Sequence, residues 1–302
     1  MDSSASVAPA GQTVSSADPT VADSATADPY LSSRPVSAKS IGHTSYVLKV
    51  RLENGLAAVF KPRSSAPLGD RRYKGEIAAY RLGRALGLTN LPVAIPGAFP
   101  ASAIRRALST PDAIDEFDRK ATIERDGSLR GALMPWIEHY ETLALESGEA
   151  RARWELWLTD ARAEVPEKDR PLARAISTMI AFDYVTANWD RWSGGNVARD
   201  TATGTVLFVD NDGAFYDAPP QASLSRQLAL LRKITRFSRS FVGALRALDT
   251  VGLAEVMGHD LRGEPLLADH ILRDVDARRR AVLEVVDAQI ARAGESATLA
   301  FE

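Results

Sequence analysis

The prevailing apolar spacing of this chain shifts near Ile137, and that shift does most to limit the folds open to it. Before it, apolar residues alternate with polar ones in short runs bounded by turn residues. After Glu138 they recur at helical spacing. Tyr46, Leu48, Val50 and Leu52 alternate, Glu53-Asn54-Gly55 turns the chain, and Leu56 to Phe60 form a return strand. Leu91 to Pro100 is extended, and Ser102–Leu108 and Asp112–Arg119 suit short helices. Thr122 to Arg125, Asp126-Gly127 and Leu129 to Ile137 predict a second hairpin. Helices are expected over Arg72–Gly87, Ala150–Ala161, Pro171–Ala187, Leu224–Leu231, Ser240–Leu248, Leu253–Met257 and Leu266–Ala293. The expectation is an α+β chain: a β-rich N-lobe over 40–137 and a mainly helical C-lobe over 138–302. The first 39 residues are rich in Ser, Ala, Asp, Thr and Pro and predict a flexible tail, with too little apolar surface to offset the entropy of ordering.

Composition removes several kinds of chemistry. The 302 residues include no cysteine, which excludes a thiolate nucleophile, a disulfide framework and a cysteine zinc site. The four histidines, His43, His139, His259 and His270, form no close metal-ligand pair. A formal net charge of −2 gives no global field for nucleic acid or an anionic membrane. No apolar run approaches the roughly 20 residues that span a bilayer, and the start lacks the pattern of a secretory signal. A soluble cytoplasmic protein is expected.

Within the helical half, Phe182 to Phe215 (FDYVTANWDRWSGGNVARDTATGTVLFVDNDGAF) stands apart. A helix end leads into the loop Asn188-Trp189-Asp190-Arg191. A short strand from Asn196 to Arg199 follows, then turn residues and an apolar return strand from Val206 to Val209. A hairpin brings its ends together, so Asp190 and Asp210 should lie side by side. Two adjacent carboxylates are costly unless a cation or a reacting proton occupies the gap. As single residues they also fit turn initiation. Asp183 falls on the apolar stripe of the preceding helix and is expected to brace the loop from below.

Two earlier residues complete a pattern. Lys61 ends the strand Leu56–Phe60 and precedes Pro62; it either extends its ammonium to solvent or meets an anion. Glu76 lies early on the next helix beside the inward-facing Ile77, either solvated or paired with Lys61. Leu133-Met134-Pro135-Trp136-Ile137 runs an apolar strand into a linker, where Met134 and Trp136 are candidate nucleotide contacts. The basic run Arg226, Arg232, Lys233, Arg236 and Arg239 is either a solvated face or a dock for an acidic substrate or phosphate. Phosphoryl transfer from ATP requires a lysine held by a glutamate, a carboxylate at the acceptor hydroxyl and another on the divalent metal.

The same residues carry a resemblance. Phe60-Lys61-Pro62, GEIAAYRLGRALGL over Gly75–Leu88 and Leu91-Pro92-Val93 resemble the N-lobe of the Golgi casein kinase family of secretory-pathway kinases. FDYVTANWDR and VDND resemble that family's catalytic loop and metal-binding turn, and more distantly those of HipA-type and phosphoinositide kinases. The resemblance implies a two-lobed atypical kinase that uses ATP with Mg²⁺ or Mn²⁺ and phosphorylates a hydroxyl acceptor. That acceptor is a protein Ser or Thr, or else a lipid, sugar or other small molecule. It implies Lys61 on the phosphates, Glu76 pairing with Lys61 or assisting the metal, Asp190 as catalytic base, and Asp210 as principal metal ligand. Asn196 is the candidate second ligand and Arg191 a brace.

The chain departs from this pattern in places. Trp192 stands where the family has His, and Gly195 where protein kinases have the loop Asn, with Asn196 one place later. Asp212 is the alternative second carboxylate. The loop Ser40–Ser45, expected over the phosphates, has one glycine and no GxGxxG. An AMP transferase and a nucleotide-binding pseudokinase remain alternatives, as does a helical binding protein whose aspartates only cap turns.

Overall fold

The computed structural model describes residues 28–42 and 45–302. Its first half is a five-stranded antiparallel sheet in the order β1-β2-β3-β5-β4. The strands are β1 (Pro35–Ser40), β2 (Leu48–Leu52), β3 (Ala57–Pro62), β4 (Ile95–Pro100) and β5 (Ser128–Pro135). Helix α1 (Gly69–Ala85) joins β3 to β4, and α2 (Ala101–Ala107) and α3 (Pro111–Lys120) join β4 to β5. The alternation of Leu48, Val50 and Leu52 sends all three into one core with Phe60, Phe99 and Ile104. The rings of Phe60 and Phe99 meet edge to face with centroids 5.2 Å apart.

Three expectations for this half need correction. The tail was expected to run to Lys39, but Pro35–Ser40 is β1, paired antiparallel with β2. A polar edge strand with only Ala38 well buried along its middle looks like a tail in sequence; the pairing supplies what its composition lacks. Residues 1–27 of that tail lie outside the described residues. Thr122–Arg125 forms no strand. Strand β5 is flanked by β3 and β4, so both its edges are already paired, and residues 124–128 only close a tight turn. Helix α1 also starts three residues earlier than expected, at Gly69.

The second half is mainly helical: α4 (Gly148–Thr159), α5 (Arg170–Thr186), α6 (Gln221–Lys233), α7 (Arg239–Ala247), α8 (Thr250–Met257), α9 (Asp269–Ala293) and the short α10 (Glu295–Thr298). A small antiparallel sheet of β6 (Tyr140–Thr142), β7 (Val197–Asp200) and β8 (Val206–Phe208) carries the expected hairpin. Among the described residues, no helix is long and apolar enough to cross a membrane.

Helix α1 binds the halves together. Its Tyr73, Ile77 and Leu82 belong to the same buried cluster as Ile176, Met179 and Ile180 of α5, while Tyr80 packs against the core of the five-stranded sheet. Arg81 donates to the carbonyls of Met257 and His259, at 2.6 and 3.1 Å, and Tyr73 bonds to Asp260. Arg130 of β5 reaches the same Asp260 at 2.7 Å. A loop from the helical half thus holds both α1 and the sheet.

Candidate active site

Lys61 is the hub. It lies 6% exposed at the end of β3, where Pro62 follows. The proline is tolerated because β2 pairs with β3 only as far as Phe60, so no partner on that side needs its missing N–H. On the other side Pro62 faces Gly131, where a Cβ would fall 2.1 Å from the Lys61 carbonyl oxygen. Glycine is required there to let the strands approach.

The Lys61 ammonium donates to Glu76 Oε1 at 2.6 Å, Asp210 Oδ1 at 2.5 Å and Asp212 Oδ2 at 3.2 Å. Burial opposes its charge, but the three carboxylates outweigh burial and hold its pKa well above the usual lysine value. Glu76 is 3% exposed, and its other oxygen accepts from the backbone N–H of Asn211 at 3.1 Å. Burial raises its pKa, and Lys61 opposes that only in part. Glu76 therefore ties β3, α1 and the turn after β8 into one unit.

That turn departs from regular structure at Asp210, whose φ is +54°, in the left-handed region. Aspartate is one of the few residues that visits this region readily. The conformation starts a single 3-10 turn over Asn211–Gly213 and places Asp210 and Asp212 on either side of Lys61. Their surroundings differ. The Asp212 side chain is 2% exposed and also accepts from Arg72 at 3.0 Å, whereas that of Asp210 is 42% exposed. Burial would raise the Asp210 pKa, but Lys61, helped by Arg191 and Arg72, lowers it.

The loop carrying Asp190 is held from below, as Asp183 was expected to do. The buried Arg191 guanidinium makes two parallel bonds to Asp183, at 3.0 and 3.1 Å. It also donates to the carbonyls of Asn196 and Val209 and to Asn211 Oδ1. One side chain thus fixes the loop that carries Asp190, the two residues that flank the hairpin strands and the turn after β8. Asp190 stands above it, half-buried. Burial raises its pKa, Ser193 opposes this by hydrogen bonding, and the charges of Asp210 and Asp212 raise it further. Asn196 turns its amide nitrogen to the Asp190 carbonyl and to Ser193, which is a brace for the loop.

The sequence-named residues thus divide. Lys61, Glu76, Asp210 and Asp212 meet directly, and Asp190 lies within electrostatic reach. Met134 and Trp136 lie at the far end of β5, beyond Ala132, the partner of Lys61. The Trp136 ring is covered by the Lys49 ammonium, 3.4 Å from its centroid. Of the loop expected over the phosphates, which is the β1–β2 turn, His43 and Thr44 lie outside the described residues. Arg226 and Lys233 of the basic run line a cleft of about 710 Å³ beside Asp190. Arg236 instead turns inward to the carbonyls of Trp157, Ala161 and Ala163. Arg72 was missed. It sits four residues before Glu76, on the same face of α1, and that spacing was a readable signal.

The donor set suits a hard divalent cation. Two cationic side chains, Lys61 and Arg72, stand among four carboxylates, those of Glu76, Asp190, Asp210 and Asp212. Among the described residues there is no ready-made cluster of three metal-ligating side chains. Magnesium-type sites need none, because one or two carboxylates share the ion with substrate phosphates.

No family model matches the chain, and no curated protein matches it in sequence. Solved structures do match it in fold. One is the Golgi casein kinase, at TM-score 0.64 and 15% identity, covering 92% of this chain and 77% of that one. A second structure, of the Golgi casein kinase with Mn/ADP bound, matches at TM-score 0.64 and 15% identity over 90% of this chain and 78% of that one. A hydra Fam20 protein solved with sugar matches at TM-score 0.66 and 18% identity, covering 93% of each chain. At such identities the likeness speaks for architecture, and the architecture is that of the Fam20 and Golgi casein kinase structures: an antiparallel sheet followed by a largely helical part.

Proposed function

We propose that this chain is an ATP-dependent phosphotransferase that moves the γ-phosphoryl group to a hydroxyl, with a protein Ser or Thr as the acceptor. The observation that carries the reading is Lys61, held by Glu76, Asp210 and Asp212, with Asp190 within electrostatic reach of the two aspartates and lining a cleft of its own. Lys61 neutralises phosphate oxygens, and Glu76 keeps it in place. Asp190 orients the acceptor hydroxyl and takes its proton as the new oxygen–phosphorus bond forms. The bond from the γ-phosphorus to the bridging oxygen breaks, and ADP leaves. Met134 and Trp136 flank the base. Asp210 would hold Mg²⁺ or Mn²⁺, with Asp212 or Asn196 as second donor, and the ion would supply charge neutralisation on the phosphates.

The test uses purified wild type and Asp210→Ala with ATP labelled at the α- or γ-phosphate, Mg²⁺ or Mn²⁺, and a panel of protein acceptors. Metal-dependent transfer of γ-label, lost in the variant, is the expected result. Transfer of α-label would make the chain an AMP transferase. Nucleotide binding with no transfer to any acceptor would make it a pseudokinase.

The cleft beside Asp190 favours a second acceptor class. Trp189, 38% exposed, and Trp192 line it together with Glu146, Glu155 and Gln227. Its volume is that of a small-molecule site. Indole faces cover the apolar face of a sugar ring while carboxylates and amides take its hydroxyls. Free sugars in the same assay separate the two readings.

A further inference from the structure

The cleft beside Asp190 has one wall whose charge is left open. Helix α6 gives it Ser223, Arg226, Gln227, Leu230 and Lys233, a stripe at helical spacing. The helix contains no Asp or Glu, so neither cation can pair along it. Among the described residues no carboxylate from another element reaches them either. The exposed Arg226 guanidinium donates only to the Ser223 hydroxyl, at 3.0 Å, and the exposed Lys233 ammonium has no partner. The opposite wall is balanced, because Arg151 and Glu155 of α4 pair with each other at 2.7 Å. Glu146 lies against the catalytic loop, where a Cβ on Gly194 would fall 3.6 Å from its Oε1.

The open wall is held in register with the loop. Gln227 Nε2 donates to the Asn188 carbonyl at 2.5 Å, and Asn188 Oδ1 accepts from the Asp190 N–H at 3.3 Å. Arg226 therefore stands close to the loop that carries Asp190, and Lys233 lies two turns further on, about 10 Å along the axis. Trp189 and Trp192 close the loop side. The Trp192 ring stacks on the buried Trp154 with centroids 5.6 Å apart, which holds it in place. A cleft of about 710 Å³ with indole rings on one side favours a compact ring over an extended peptide.

We propose that the acceptor in this cleft is a sugar that already carries an anionic group, a phosphate or a carboxylate, and that Arg226 and Lys233 select it. The inference rests on the phosphotransferase reading, with a sugar as the acceptor. The anion meets the two cations of α6, the ring meets the indoles, and a free hydroxyl faces Asp190. As that oxygen bonds to the γ-phosphorus, the bond to the bridging oxygen breaks and the hydroxyl proton passes to Asp190. ADP leaves, and the product is a sugar with a second anionic group.

The experiment compares full-length wild type with the double variant Arg226→Gln/Lys233→Gln. The probes are glucose, glucose 6-phosphate, glucuronate and an acidic peptide that contains Ser. Transfer is read with γ-labelled ATP and Mg²⁺, binding by calorimetry and folding by thermal melting. Wild type should favour an anionic sugar over glucose, and which of the two it favours tells phosphate from carboxylate. The double variant should lose about 10- to 100-fold in kcat/KM for that sugar, mainly through KM. ADP affinity and melting temperature should stay level, since neither side chain has a charged partner to lose. Equal use of glucose and the anionic sugars, or a preference that the variant keeps, would overturn the inference and leave the phosphotransferase reading standing. Transfer to the acidic peptide alone would assign the wall to a protein acceptor and overturn it as well. If no acceptor is labelled, the phosphotransferase reading falls and calorimetry decides the site. Anionic sugar binding that the variant lacks supports it; binding that the variant keeps, or none at all, overturns it.

Discussion

At the scale of single residues, the site is a balance between one buried cation and the carboxylates around it. Glu76 and Asp212 are almost wholly buried; Glu76 is paired with Lys61, and Asp212 shares its charge between Lys61 and Arg72. Lys61→Met should therefore do more than stop phosphate transfer. It should cost about 3–5 kcal/mol of stability, the usual effect of stranding buried charge, read from urea unfolding of both proteins. Unchanged stability would mean that the carboxylates do not rely on Lys61. Asp190 carries a pH signature. Its pKa is raised by burial and by Asp210 and Asp212, and only its ionised form can take a proton. The rate should fall as pH drops through that raised value, with the acid limb of kcat/KM above about pH 4, the ordinary aspartate position. Asp212→Asn removes a like charge and should move the limb to lower pH. A profile flat to pH 4 would remove Asp190 from the role.

At the scale of elements, the site depends on how closely strands and turns approach. Lys61 reaches three carboxylates because β3 and β5 come together at Gly131 and because the turn after β8 presses on α1 at Gly75. Gly131→Ala must push β3 away from β5 and displace Lys61. We expect a loss of about 3 kcal/mol and a clear fall in phosphate transfer, measured by unfolding and labelled-ATP assays. A variant with wild-type stability and rate would show that the approach is not needed. The hairpin and most helices were legible in the sequence because their apolar spacing is local. The pairing of β5 was not. Its flanking turn suggested a hairpin with Thr122–Arg125, while its real partners lie some 70 and 30 residues away in the chain.

At the scale of the whole molecule, α1 belongs to two bodies. It lies between strands of the sheet in the chain but buries Tyr73, Ile77 and Leu82 with the helical core, under a loop that also grips Arg130. The Lys61–Glu76 pair therefore depends on the two halves staying together. Amide hydrogen exchange should show the centre of α1 protected together with α5, not with the edge strand β1. Exchange of α1 in step with β1 would show that the sheet carries it.

The sequence by itself determined the order of elements, the α+β class and the identity of Lys61, Glu76, Asp183, Asp190, Asp210 and Asp212 as the polar residues to watch. Each sits at a strand end, a helix face or a turn, and such places are written in local patterns. Only the tertiary structure decided that β1 is a strand and that Arg72 shares Asp212 with Lys61. Those facts depend on what lies opposite a residue after folding. An edge strand is defined by its neighbour, and a buried ion pair by its second charge.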